Sequence, residues 1–112
     1  MTKTLRRADN GSVVCAKCEL ADTYWTRLRG LMGRSSLPAD EGLLFDRTGS
    51  IHMFFMRFPI DVVFCDAELR VVKVVSGLKP WRTAAARRAK VTIELKQGAA
   101  AGLEPGDELT LD

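Results

Sequence analysis

The sequence predicts a small α+β domain that is mostly β, with a strongly curved sheet or a small pseudo-barrel and one main helix. Short segments rich in β-branched and aromatic residues recur between turn-forming residues along most of the chain. Apolar residues recur at helical spacing in one early segment, which supplies the helix. The length of 112 residues and the composition, 46% hydrophobic and 28% charged, fit a single domain, 1–112, with about 1–11 as a flexible lead.

The main helix is predicted to begin after Asp22 or Thr23, either of which can cap it, and to end near Gly33. Arg27 lies on its polar face, with Arg34 one turn further if the helix continues. Four residues form its apolar face: Trp25, Leu28, Leu31 and Met32.

Seven strands are predicted from β-branched content and turn signals. The short Asp66-Ala67-Glu68 turn predicts a hairpin between two of them, and Pro59 predicts a break before the first strand of that hairpin. The predicted strands are Ser12–Leu20, Gly42–Phe45, Ser50–Phe58, Ile60–Cys65, Leu69–Val75, Val91–Leu95 and Glu108–Leu111.

Two ionisable residues, His52 and Asp61, occur within an otherwise apolar run, and this run is the strongest functional signal in the sequence. A buried carboxylate requires a cation or several hydrogen-bond donors, so Asp61 predicts an organised polar cluster. Its candidate cation partners are Arg27, Arg34 and Arg57. Such a pair either anchors a ligand or fixes one packing arrangement, and both readings stay open.

Further candidate ligand-binding residues surround this run. Because histidine side chains in general can exchange a proton near neutral pH, His52 is a candidate general base or a hydrogen-bonded packing residue. Trp81, between Pro80 and Arg82, offers an aromatic face next to a cation, for a ligand or for closing a core edge. Met56 completes the candidate ligand-binding set, which is Arg27, Arg34, His52, Met56, Asp61, Trp81 and Arg82.

The three cysteines, Cys15, Cys18 and Cys65, are an odd number, which favours a reducing compartment over a disulfide framework. The Cys15-Ala-Lys-Cys18 spacing suits zinc or redox chemistry, but the pair falls on a predicted strand and lacks a full ligand set. We therefore expect no metal site, no cofactor and no disulfide.

The charge distribution is uneven around a net charge of +3. No acidic residue occurs between Glu68 and Glu94, whereas seven basic residues do, so weak polyanion binding at most is expected from the segment of residues 70–90. No apolar run is long enough to span a bilayer, and the N-terminus lacks the apolar core of a signal peptide. These features predict a cytoplasmic protein without membrane partners.

Several motifs in order resemble the domain-of-unknown-function family numbered 192, from about Ala21 to Asp112. The central block, His-x-Phe-x-Met-x-Phe-Pro-Ile-Asp, resembles one branch of the family, which also carries the later Pro-Trp-Arg. The resemblance implies a compact, mostly β domain with a small pseudo-barrel, and it brings no established activity. The matching motifs are Arg27-x-x-Gly30-Leu31-Met32-x-Arg34, Gly42-Leu43-Leu44-Phe45, Met56 to Phe64, Val71-Val72, Glu94-Leu95 and Gly98.

The predicted function is binding of a small ligand or protein partner through the polar cluster and the Pro80-Trp81-Arg82 loop. Two alternatives remain: a small hydrolase-like enzyme using His52 and Asp61, and a nucleic-acid accessory protein using the basic segment. An enzyme is the less favoured reading, because the sequence contains no Gly-x-Ser-x-Gly elbow and no phosphate-binding loop.

Overall fold

The computed structural model describes residues 2–21, 35–53 and 56–112. Within these ranges the chain forms nine strands. They are β1 (Thr2–Arg7), β2 (Val13–Leu20), β3 (Glu41–Asp46), β4 (Ser50–His52), β5 (Ile60–Cys65), β6 (Val71–Leu78), β7 (Thr83–Ala85), β8 (Val91–Lys96) and β9 (Leu109–Leu111).

The α+β class predicted from the sequence is wrong for the described residues, which form an all-β fold without a helix. That prediction gave decisive weight to one amphipathic segment, whereas the described residues satisfy their backbone hydrogen bonds by pairing strands that are distant in sequence. The predicted helix itself, from Asp22 or Thr23 to Met32, lies outside the described residues. Consequently, no described helix is long and apolar enough to cross a bilayer.

Seven strands form one sheet in the order β6-β5-β8-β3-β2-β1-β9. Neighbours are antiparallel except β2 and β3, which run parallel. The edges approach each other at a single isolated bridge, Arg70 to Glu108, supported by a 3.0 Å hydrogen bond from Leu109 N to Leu69 O. The predicted pseudo-barrel is therefore wrong, because β9 and β6 stay at opposite edges of the sheet and no strand pairing beyond this bridge closes it.

The N-terminal residues belong to this sheet, in contrast to the predicted flexible lead. β1 pairs with β2 on one side and β9 on the other, and Leu5 is fully buried. An apolar side chain with strand partners on both edges holds this segment in place.

The central strands bury both of their faces, and two cores result. Along β8, Ile93 and Leu95 face the first core, while Glu94 lies opposite Leu43 and Val62 on the second. The first core is Leu5, Cys15, Cys18, Leu44, Val63, Cys65, Val71, Val91, Ile93, Leu95, Ala100 and Leu109. The second core is Ala21, Leu37, Leu43, Phe45, Met53, Met56, Ile60, Val62, Phe64, Leu78 and Ala89.

The predicted hairpin is confirmed, since β5 pairs antiparallel with β6. The predicted strand Ser50–Phe58 is too long, because the observed strand β4 ends at His52 and Met56 N then donates to Met53 O at 3.2 Å. Residues 54 and 55 of that prediction lie outside the described residues. β4 pairs with β7 as a separate two-stranded sheet, which we call the ribbon.

Candidate functional site

The buried carboxylate of Asp61 is held by main-chain N–H groups. Its Oδ1 accepts from Gly77 N at 2.9 Å, and its Oδ2 accepts from Gly98 N at 2.9 Å and from Ala100 N at 3.0 Å. The predicted burial is confirmed, with 1% of the residue exposed. The three amides satisfy the carboxylate without a cation, so its role in the described structure is to fix the loops around β5.

The predicted arginine partner is not found among the described residues, where Arg57 is exposed and forms no ion pair with Asp61. The other two candidates, Arg27 and Arg34, lie outside the described residues. The physical reason for the difference is that main-chain amides at the end of β6 and after β8 supply the donors that were expected from a cation.

Asp61 and His52 lie on different sides of the main sheet. Asp61 is paired across the strands with Leu95, which faces the first core, whereas the ribbon that carries His52 packs through Ile51 and Ala84 against the second core. Met56 is buried in the second core. The acid–base pair of His52 and Asp61 needed for a hydrolase is therefore not assembled.

Glu94 is a second buried carboxylate, and its surroundings differ from those of Asp61. It is 5% exposed, and its Oε1 has no hydrogen-bond partner among the described residues. Removal from water raises the pKa of Glu94 to about 8. A buried, unsatisfied carboxyl is costly, so its presence calls for an explanation.

Sequence reasoning missed Glu94, which entered only as part of the family pattern. In the segment Val91–Leu95 the apolar residues alternate with Thr92 and Glu94, which is the pattern of a strand with one face toward solvent. Thr92 satisfies its hydroxyl by donating to Thr48 O at 2.6 Å. The face that carries Glu94 is buried because the neighbouring strands place Leu43 and Val62 beside it.

The ribbon presents polar side chains to solvent. His52 lies opposite Thr83 and Ser50 lies opposite Ala85, and all four residues are exposed. The alternate pair, Ile51 and Ala84, is half-buried against the second core. The period of a strand therefore divides the ribbon into an inner apolar face and an outer polar face.

An open groove of about 570 Å³ lies along this ribbon. Lys73 of β6 borders it, with Nζ donating to Ala85 O at 2.9 Å. No carboxylate occurs among the described residues that line it, so its polar groups are hydrogen-bond donors and a cation. The lining residues are Ser50, Ile51, His52, Lys73, Thr83, Ala84 and Ala85.

A second groove of about 420 Å³ shares Lys73 and Ala85 with the first. It adds Arg87 and Arg88, both exposed. Like the first groove, it has no carboxylate among its described lining residues. The two grooves make a continuous basic surface, which we call the ribbon surface.

Trp81 and Arg82 continue the pairing of the ribbon beyond its last strand residues. Met53 N donates to Arg82 O at 2.7 Å, and Trp81 N donates to Met53 O at 2.8 Å. Trp81 has a φ of 68°, a left-handed conformation that is costly for a bulky residue, and 59% of it is exposed. Strained backbone beneath an exposed aromatic ring is typical of binding sites.

The cysteine pair of β2 lies inside the first core. Cys15 and Cys18 are both buried, because an irregularity in the pairing with β1 turns the two residues between them to solvent. The thiol of Cys18 donates to Cys15, which lowers the pKa of Cys15 and raises that of Cys18. Burial raises the pKa of Cys65 to about 12. Among the described residues no three His, Cys, Asp or Glu side chains are grouped to hold a metal ion.

These described strands define a small all-β domain. The chain belongs to the DUF192 family, described as an uncharacterized ACR family, whose model matches residues 5–111. This confirms the resemblance drawn from the sequence motifs.

Several relatives carry the designation UPF0127. The protein PH1112 of Pyrococcus horikoshii is 38% identical over 96 residues, which cover 80% of this chain and 83% of the relative. A protein of Thermococcus sibiricus is 38% identical over 80 residues, 64% of this chain. The chain spans about half of that relative, 49% of its length.

Two crystal structures are similar to the whole fold, each with a TM-score of 0.82 and 26% sequence identity. One is a protein of unknown function from Novosphingobium aromaticivorans, and the match covers 98% of this chain and 84% of that one. The other, from Sinorhizobium meliloti, is described as a candidate transcription regulator, and the match covers 97% of this chain and 91% of that one.

Proposed function

We propose that this protein is a binding module for a small anionic ligand, and that the first groove of the ribbon surface is its site. The observation that carries the proposal is the grouping of His52, Lys73 and Thr83 around a groove whose described lining contains no carboxylate. Phosphate or carboxylate oxygens are the natural acceptors for this set of donors.

The geometry of Lys73 supports an anion site. One of its three N–H donors is used by Ala85 O, which fixes the ammonium at the edge of the groove and leaves the others for a ligand. Arg87 and Arg88 in the adjoining groove add positive charge without direct contact being required. An anion arriving at the ribbon therefore meets a positioned cation and a favourable field.

Trp81 supports a ligand with a planar ring. Its backbone is joined to Met53, the residue that follows His52, so the exposed indole lies near one end of the ribbon. An indole face stacks on aromatic rings and attracts cations. A mononucleotide such as AMP combines the phosphate and the ring, and it is the probe that we select.

Nucleic acid is the second candidate occupant. The ribbon surface continues from Lys73 to Arg87 and Arg88, and the similar protein from Sinorhizobium meliloti is described as a candidate transcription regulator. Only one exposed tryptophan among the described residues accompanies this basic surface, so polyanion binding is expected to be weak and salt-sensitive.

The test is an NMR titration with inorganic phosphate, AMP, a single-stranded RNA and a duplex DNA. We expect AMP to shift the amides of residues 50–53 and 81–85, and Lys73→Met to lower its affinity about tenfold. Lys17→Met is the matched control, since Lys17 is exposed on β2, four strands from β6. Absence of any shift with all four probes overturns the proposal, and tight binding of RNA or DNA with loss in Arg87→Ala favours the second candidate.

A further inference from the structure

Glu94 is a buried ionisable group that the anion groove does not use. It lies in the middle of the main sheet, because β8 has β5 on one side and β3 on the other. Its direct neighbours across the strands, Leu43 and Val62, are apolar and buried. An ionised carboxylate at this position has lost its hydration, and the described residues give its Oε1 no donor in exchange.

The ribbon packs on the same core that surrounds Glu94. Ile51 and Ala84, on the inner face of the ribbon, contact the second core, and Met53 at its end is fully buried there. Leu43 and Val62 belong to that core as well. Glu94 and the ribbon are thus connected through one apolar layer.

The charged groups that share this side of the sheet are at its margins. Lys96 is exposed two residues further along β8, and Glu41 is half-buried two residues before Leu43 on β3. On β6, exposed Lys73 lies opposite Phe64 and binds the ribbon. Half-buried Glu19 of β2 lies opposite Leu43 on the same side. None of these four residues hydrogen-bonds Glu94 Oε1, so among the described residues no counter-charge stabilises the ionised form in place.

Among the described strands that contact the second core, those of the ribbon are the least firmly paired. β3, β5 and β8 are each hydrogen-bonded to neighbours on both edges, whereas β4 and β7 pair only with each other over three residues. Two-stranded sheets of this length are marginal by themselves. Water therefore reaches an ionised Glu94 at the lowest free-energy cost when the ribbon separates from the main sheet, which is a local opening of the fold.

We propose that Glu94 is a proton-binding site that controls the packing of the ribbon on the main sheet: the protonated carboxyl is compatible with the closed ribbon, and loss of the proton favours its opening. In the closed state Glu94 has its pKa raised to about 8 by burial. In the open state it regains water and its ordinary acidity. Opening is therefore linked to proton release between these two values.

Linkage gives the expected size of the effect. Where the closed form holds the proton and the open form does not, the open population rises about tenfold for each pH unit. Above the closed-state pKa both forms are ionised and the rise stops. If the anion groove has the function proposed above, its affinity falls in the same range; this consequence alone rests on that function.

The experiment measures hydrogen exchange by NMR at the Met53 and Trp81 amides, which form the hydrogen bonds at the end of the ribbon. After correction for intrinsic exchange, we expect protection to fall about tenfold per unit between about pH 5 and pH 8 in the wild type. Protection should be independent of pH in Glu94→Gln. The control is Glu104→Gln, the same change at an exposed site, which should behave as the wild type.

Two hydrogen-exchange results overturn the proposal. One is protection of the ribbon amides that does not vary with pH in the wild type, or that varies equally in Glu94→Gln. The other is exchange of these amides only through the opening that also exposes the Ile93 amide on β8, because the whole fold then opens and not the ribbon. A ¹³C titration of the Glu94 carboxyl in the wild type is independent of any variant, and an ordinary pKa there also rejects the switch. AMP titrations at about pH 5 and pH 8 test the anion groove separately from the Glu94 switch. If AMP binds at neither pH, the proposed anion site is rejected, and hydrogen exchange alone decides whether Glu94 controls the ribbon.

Discussion

Two buried carboxylates on adjacent strands have opposite environments. Asp61 on β5 accepts three main-chain hydrogen bonds of 2.9 to 3.0 Å, whereas Glu94 on β8 has an Oε1 without a partner among the described residues. The two residues are one position apart in the pairing of β5 with β8, and so they face opposite cores. Burial alone therefore does not decide whether a carboxylate is stabilised in its ionised form. The hydrogen-bond donors within its reach decide this.

The position of each residue in the sheet explains the difference. Asp61 lies where the pairing of β5 with β6 is irregular and where the chain leaves β8, so the amides of Gly77, near the end of β6, and Gly98, just after β8, turn toward it. Glu94 lies in regular pairing on both edges, where backbone N–H groups are engaged between strands. A side chain on a sheet face finds main-chain donors only at irregular places.

The largest expected effect comes from removing the carboxylate of Asp61. Asp61→Ala leaves three main-chain amides without their acceptor, among them the buried amide of Ala100, and should lower the free energy of unfolding by roughly 3 kcal/mol or more. Thermal and urea unfolding measure the loss, with Glu68→Ala as an exposed control. A change equal to that of the control would mean that the three hydrogen bonds contribute nothing to stability.

At Glu94 the expected effect on stability has the opposite sign, because replacing this carboxyl should make the protein more stable relative to the wild type as pH rises. Because its folded-state pKa is raised, its stabilising contribution is fully present below the unfolded pKa and is lost as pH rises toward about 8. Between about pH 6 and pH 7.5 the wild type should lose about 2 kcal/mol relative to Glu94→Gln, at about 1.4 kcal/mol per unit. Urea unfolding at several pH values measures this difference, and parallel stability curves for the two proteins would contradict it.

A glycine in the Asp61 cluster provides a smaller test. Gly98 has a φ of 93° and open space around its Cα, so Gly98→Ala introduces backbone strain without a steric clash. We expect a loss of about 1 kcal/mol, and less in an Asp61→Asn background because the amide is then held less firmly. Gly11→Ala, at a φ of 72° and also with open space, is the control for strain alone. Equal losses in both backgrounds would show that Gly98 and Asp61 are not coupled.

The smallest effect on stability is expected at His52, which is exposed on the ribbon. His52→Ala should fold normally, with a free energy of unfolding within about 0.5 kcal/mol of the wild type, and should weaken AMP binding. We expect no catalytic activity that depends on His52. Unfolding curves, AMP titration and a screen of esterase, phosphatase, glycosidase and peptidase substrates check the three parts. A turnover that depends on pH near the ordinary histidine pKa and disappears in His52→Ala would identify an enzyme instead.

Part of this fold could be predicted from short segments of the sequence. The β5–β6 hairpin and the strand from Val91 follow from β-branched content and one short turn, and the burial of Asp61 follows from its apolar neighbours. The family was also recognisable from motifs, and the match over residues 5–111 confirms it. The fold class was predicted wrongly, because one amphipathic segment led to a prediction of α+β although most of the predicted elements were short strands.

Pairings across long distances along the chain were decided by the tertiary structure. His52 meets Thr83 in the ribbon, and β1 pairs with β9, although no local pattern marks either pairing. The grouping of His52, Thr83 and Lys73 around one groove likewise depends on three separate strands.

The amino-acid sequence by itself determined that Asp61 would be buried, because its strand follows a run that is apolar on both faces. The burial of Glu94, on a strand that alternates apolar and polar residues, was decided by the strands on either side of it. The tertiary structure alone decided their partners. The donors to Asp61 come from residues 16, 37 and 39 positions away in the sequence. Around Glu94, in contrast, the backbone amides are used in the regular pairing of β8 with β3 and β5. Periodicity is a local property of the chain, but the hydrogen-bond donors that reach a buried carboxylate depend on which distant loops the fold brings beside it.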